Sequence, residues 1–181
     1  VEQNGQLYFK PTFSAKREEA AAMLVRVYER YISKVDWLHG FYAFSSYSQI
    51  NLTANMDAVS VGWARMEYDP VLGPVLNSEN TNGNDWVKPA DPTPATDYFQ
   101  GNRTPYNLNI YASAADKITL SDGSESSTVA AVVSTQEARS AAVSAIVAAA
   151  VDYAGVTVDF EALKGDALKA NYTTFMTELR A

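Results

Sequence analysis

From residue 35 onward the chain keeps one rhythm, a strand-like run followed by a stretch long enough for a helix. The runs fall at residues 37–45, 58–64, 107–112 and 155–161. Crossovers of that length join parallel strands, because antiparallel neighbours need only a tight turn. The chain is therefore expected to be α/β with about four parallel strands. The fourth run, Gly-Val-Thr-Val-Asp-Phe-Glu at 155–161, alternates strictly. Val156, Val158 and Phe160 point to one face, Thr157, Asp159 and Glu161 to the other. Two carboxylates thus stand two residues apart at the C-terminal end of a strand, where a parallel barrel gathers its chemistry. A carboxylate on an inward face is costly unless it is paired or used. Spacing alone leaves two readings open, an acid pair in a site and a solvated loop just past the strand.

Composition narrows the partners. The chain has 181 residues, enough for one domain with a sizeable core, and its 47% apolar content is that of a globular protein. A net charge of −7 with no basic cluster argues against a nucleic-acid partner and suits a neutral substrate. With no cysteine, neither a disulfide framework nor a thiolate metal site can form. His39, the sole histidine, has no second imidazole with which to share a metal, and reads as a barrel-end or core residue. Neither a metal nor a cofactor is expected. The most apolar run, residues 141–151, is Ala-rich and too short to span a membrane. No signal peptide opens the chain.

Residues 1–13 read as an extended or turn segment. A helix is expected from an N-cap at Ser14 to about Ser33, with Ala20, Leu24, Val27, Tyr28 and Tyr31 forming one apolar stripe. In the second run Val59, Val61 and Trp63 alternate with Ser60, Gly62 and Ala64, a pattern that suits a strand packed on both faces. Residues 69–105 carry six of the seven prolines and are expected to form a long Pro-rich loop. Trp86, Tyr98 and Phe99 within it suit either a sugar platform or simple pins for the loop. Ser134-Thr-Gln-Glu137 has the form of a capping box opening a helix to about Tyr153. A last helix from Asp166 lines up Leu168, Tyr172, Phe175, Met176 and Leu179 as core.

Two stretches resemble known families. The run 16–26, Lys-Arg-Glu-Glu-Ala-Ala-Ala-Met-Leu-Val-Arg, resembles the closing helix of a surface-layer homology repeat; Arg17 and Glu19 match its Thr-Arg-Ala-Glu signature and Lys16 replaces the Thr. Gly155-Val-Thr-Val-Asp-Phe-Glu161 resembles the catalytic signature of glycoside hydrolase family 18, Asp-Gly-x-Asp-x-Asp-x-Glu. Thr157 stands where that signature has its first inner Asp, and Ala154 where it has the leading one. The variant is most similar to the spore-cortex and peptidoglycan-acting branch. Gly40-Phe-Tyr-Ala-Phe-Ser-Ser46 and Asp57-Ala-Val-Ser-Val-Gly-Trp63 look like the first two barrel strands of that branch.

The resemblance implies the N-terminal half of a (β/α)8 TIM barrel over residues 35–181, preceded by an N-terminal helix segment at 1–33. It implies a glycoside hydrolase acting on β-1,4-linked N-acetylglucosamine polymers, peptidoglycan or chitin, by substrate-assisted retaining hydrolysis. Glu161 would be the general acid and Asp159 would orient the substrate's acetamido group. Tyr42, Trp63 and Tyr111, on the first three strands, are the candidate substrate-binding residues. Since an eight-stranded barrel takes about 250 residues, the chain is expected to be a fragment of the full enzyme. Unpaired barrel edges then suggest self-association. The alternative is a non-catalytic glycan-binding relative. A bacterial extracellular or cell-wall location is expected, with contact to cell-wall polymer through the N-terminal segment.

Overall fold

The computed structural model describes residues 2–3, 6–7, 16–31 and 35–181. They fall into two compact units, Val1–Trp37 and Leu38–Ala181. In the first, β1 (Glu2–Gln3) pairs antiparallel with β2 (Gln6–Leu7). Helix α1 (Arg17–Tyr31) starts with Glu18 and Glu19 and ends with Arg30, charges that suit both ends of the helix dipole. The Glu19 carboxylate accepts the Lys16 backbone N–H at 2.9 Å. The expected cap at Ser14 and the end at Ser33 lie outside the described residues.

The second unit is built on β3 (His39–Tyr42), β4 (Ala58–Asp69), β6 (Tyr106–Ser113) and β9 (Gly155–Glu161). They lie side by side in that order, each parallel to the next. The parallel order is the one the crossover lengths called for, and the sheet curls into a half-barrel. The crossovers are a 3-10 helix (Phe44–Asn55), α2 (Thr93–Gly101) and the pair α3 (Thr128–Ser134) and α4 (Gln136–Ala149); α5 (Asp166–Arg180) follows β9. Val59, Val61, Leu108, Ile110 and Phe160 are buried with Phe99, Val132, Ile146 and Phe175 of the helices in one core. The other face of the sheet carries the polar alternates.

The segment 69–105 is not the single loop its prolines suggested. β4 runs on to Asp69, and β5 (Gly73–Asn77) folds back against it antiparallel. Asp69 makes the turn: its Oδ1 accepts the backbone N–H groups of Leu72 and Val71, which holds its carboxyl below the usual value. Gly73 takes a φ of +81° there, a region open to glycine. Pro92 and Pro94 stand at the start of α2, where a missing N–H costs nothing. These prolines open a helix rather than exclude one.

Further along, the stretch before α4 is itself structured. It holds the hairpin of β7 (Lys117–Thr119) with β8 (Glu125–Ser127), and then α3. The α4 cap is Thr135, whose side chain accepts from the Ala138 N–H, and not Ser134, which ends α3. Both residues can cap, and the apolar run Val129–Val133 already belongs to a buried helix that stops at Ser134. α4 itself stops at Ala149, four residues short of expectation. Among the described residues no helix is long and apolar enough to cross a membrane.

Candidate active site

The polar face of β9 is where chemistry can collect. Register pairs Asn109 with Thr157, Tyr111 with Asp159 and Ser113 with Glu161, so β6 lays its own polar alternates beside those of β9. Asn109 is fully buried and its Nδ2 donates to Asp159 Oδ2 at 3.3 Å. Its Oδ1 is buried with no hydrogen-bond partner among the described residues. Asp159 is half-buried and Glu161 exposed. The first is held by the sheet and the second is free to meet a ligand.

Deeper on this face three hydroxyl and imidazole groups form a chain. His39 Nε2 lies 2.7 Å from Ser60 Oγ, and Ser60 Oγ lies 2.6 Å from Thr157 Oγ1. A threonine suits this position, because its hydroxyl joins the chain with no charge to desolvate. His39 is thus a paired histidine at the start of the first barrel strand. Among the described residues no group of three His, Asp or Glu is arranged to hold a metal ion.

A cavity of about 910 Å³ opens on the same face, bordered by Phe41, Phe44, Ser60, Gly62, Trp86 and Asp159. A second, of about 980 Å³, lies on the opposite face of β9 between α4 and α5 and has no acidic side chain in its wall. Asp159, in the wall of the first, decides between them; Glu161 lies two residues further along β9 and is not part of that wall.

The candidate aromatics divide. Tyr111 lies on the carboxylate face; burial first, then the Glu161 charge, push its phenol above the ordinary value and keep it a hydrogen-bond donor. Tyr42 and Trp63 also border the cavity, but their rings are seated in the core. Tyr42 meets Phe99 edge-on at 5.3 Å and Trp63 meets Tyr153 at 6.3 Å. Trp63 is buried in the same core as Val59 and Val61, beside the point where the register of β4 against β6 shifts.

No family model, curated protein or solved structure matches the chain. What the site can do therefore rests on its residues.

The residue that strand patterns did not reveal is Trp86. Its ring stacks on Tyr111 at 4.6 Å and 11°. The loop that carries it is tied down by Asn84, which is fully buried. Asn84 Nδ2 donates to the carbonyls of Asn77, Glu79 and Trp86, and its Oδ1 accepts the Trp86 N–H. Asn84→Ala strands these backbone groups and is expected to lower stability by about 1–3 kcal/mol. A shifted urea midpoint together with altered Trp86 emission would show it.

Arg65 and Glu67 add a second tie. Arg65 pairs with Glu67 and donates to the carbonyls of Asn82 and Gly83. Burial alone would raise the Glu67 carboxyl, but hydrogen bonds from Asn77, Asn82 and Arg65 and the Arg65 charge hold it below its ordinary value. A lowered folded-state value means that this stabilisation is present above the ordinary value and lost as pH falls through the folded one. The loop is expected to loosen only in acid below pH 4.5, the ordinary value for this group. The readout is a change in Trp86 emission that is missing in Glu67→Gln.

Asn109 had a signal in the sequence. Asn107, Asn109 and Tyr111 alternate with Leu108 and Ile110 just as the acidic run alternates with its valines.

Proposed function

We propose that this chain carries half of a glycoside hydrolase barrel of the family 18 type, acting on β-1,4-linked N-acetylglucosamine in peptidoglycan or chitin. The observation that carries the reading is the pairing of β9 with β6. It sets Asp159 and Glu161 on one face at the C-terminal end of a parallel strand, with Asn109 holding Asp159. In this reading the Glu161 carboxyl gives its proton to the glycosidic oxygen as the bond to the anomeric carbon breaks. The carbonyl oxygen of the substrate's own acetamido group forms the new bond to that carbon. Asp159 holds the acetamido N–H and balances the positive charge that develops. Water then attacks the same carbon, Glu161 takes its proton, and the configuration is retained. The segment before the barrel is the wall-facing part in the same reading, and the setting is the bacterial cell surface.

The test is release of chromophore from a chromogenic N-acetylglucosamine oligomer, wild type beside Glu161→Gln. Equal release by both would remove Glu161 as the acid. A second reading, a glycan-binding relative without turnover, is favoured by one observation. Thr157, engaged with Ser60, offers no ionisable group beside Asp159. Tight oligomer binding, unchanged in Glu161→Gln and with no release by either protein, would select it.

A further inference from the structure

We infer that Trp86, backed by Tyr111 and seated over Gly62, is a preformed stacking surface for the apolar face of a pyranose ring in the glycan that reaches Asp159. The inference rests on the proposed function and deepens it by naming the residue that selects a sugar. The indole and Asp159 border the same cavity, so a ring lying on Trp86 is beside the carboxylate. Aromatic faces bind ligands well where they are half-buried, large and fixed before the ligand arrives.

All three conditions hold here. Trp86 is half-buried. Tyr111 supports it at 4.6 Å, nearly parallel. Its loop is fixed through Asn84, so little ordering is left for binding to supply.

Gly62 is the reason the indole can lie where it does. A Cβ at that position would stand 2.9 Å from Cε3 and Cζ3 of Trp86, too close to be accepted without moving the ring. The register shift of β4 against β6 falls here, between Val61 and Ala64. Gly62 and Trp63 together face Asn109 across the bulge. Bulges commonly re-aim side chains beside a site. On this strand the bulge also lets Arg65 pair with Tyr111, and Arg65 then grips the Trp86 loop. One irregularity in the strand thus serves both the seat of the indole and the tether of its loop.

The experiment is calorimetric titration of the protein with two probes. One is an N-acetylglucosamine tetramer; the other is a β-1,4-linked glucose tetramer, which keeps the ring faces and lacks the acetamido group. Trp86→Ala is expected to weaken tetramer binding about tenfold or more, and Trp86→Phe by less. Gly62→Ala, which leaves the indole in the chain but displaces it, is expected to weaken binding as Trp86→Ala does. Matching urea midpoints for the variants and wild type assure that the fold is intact.

Affinity unchanged within twofold in Trp86→Ala overturns the inference, and so does failure of wild type to bind either tetramer. Trp86-dependent binding of the glucose tetramer alone keeps the stacking surface and removes the N-acetylglucosamine reading. Trp86-dependent binding with hydrolysis indifferent to Glu161→Gln keeps the surface and removes the proposed acid.

Discussion

Glu161→Gln is expected to lower the turnover of a chromogenic N-acetylglucosamine oligomer by about 10²–10⁴-fold, the usual contribution of a positioned general acid. Glutamine keeps the size and the hydrogen-bonding oxygen of the side chain but has no proton to give. The loss should therefore fall on kcat, with KM changed little. Glu161 is exposed and its backbone carbonyl accepts the Ala114 N–H, a contact the substitution leaves alone. Stability should stay within about 0.5 kcal/mol of wild type, as for other surface changes. Asp159→Asn makes the informative comparison. An asparagine there can still accept from Asn109, so the local geometry survives while the charge opposite the acetamido group is lost. Both variants should cut kcat, and Asp159→Asn should in addition bind the oligomer more weakly. Equal rates for wild type and Glu161→Gln would end the acid assignment.

The β9 strand and its two faces were legible because alternation is a local signal, and one face had a helix-bound core to join. Val156, Val158 and Phe160 against Thr157, Asp159 and Glu161 needed only the pleat. α5 was legible for the same reason, through one stripe of apolar residues at helical spacing. The partners of the polar face were another matter. Ser60 and Thr157 are 97 positions apart, and their contact at 2.6 Å depends on β6 standing between the two strands. Trp86 and Tyr111 meet through a loop fixed by Asn84, a residue whose four bonds no periodicity encodes. Prolines misled because the same residue breaks a helix within and begins one at its first turn. Trp63 borders the cavity while most of its ring is buried in the core, a division that alternation with Val59 and Val61 does not reveal because the register shifts beside it.

Phe175→Ala is expected to cost about 3–5 kcal/mol, the usual range for emptying a large aromatic site in a core. Phe175 is fully buried, and its ring stacks on Phe160 at 5.6 Å and 9°, with Tyr172 at 6.4 Å. Phe160 stands between Asp159 and Glu161 in the chain, so this pair of rings anchors the strand that carries both carboxylates. Among the described residues β9 pairs only with β6 and lies at the end of the sheet. A larger share of its hold must then come from packing against α5. Val156 and Val158, farther from the stack, are only half-buried and border the 980 Å³ cavity, so they replace little of what is lost. Against a total of about 5–15 kcal/mol for a domain, the loss is large enough to populate opened forms of this edge. Urea unfolding should show a lower midpoint, and hydrogen exchange at β9 should rise before exchange at β4. Phe175→Leu, which keeps most of the volume, should lose well under half as much. A midpoint for Phe175→Ala within about 1 kcal/mol of wild type would mean that α5 does not seat the strand that carries the two carboxylates, and the edge must then be held from its polar face by Asn109 and Ser60.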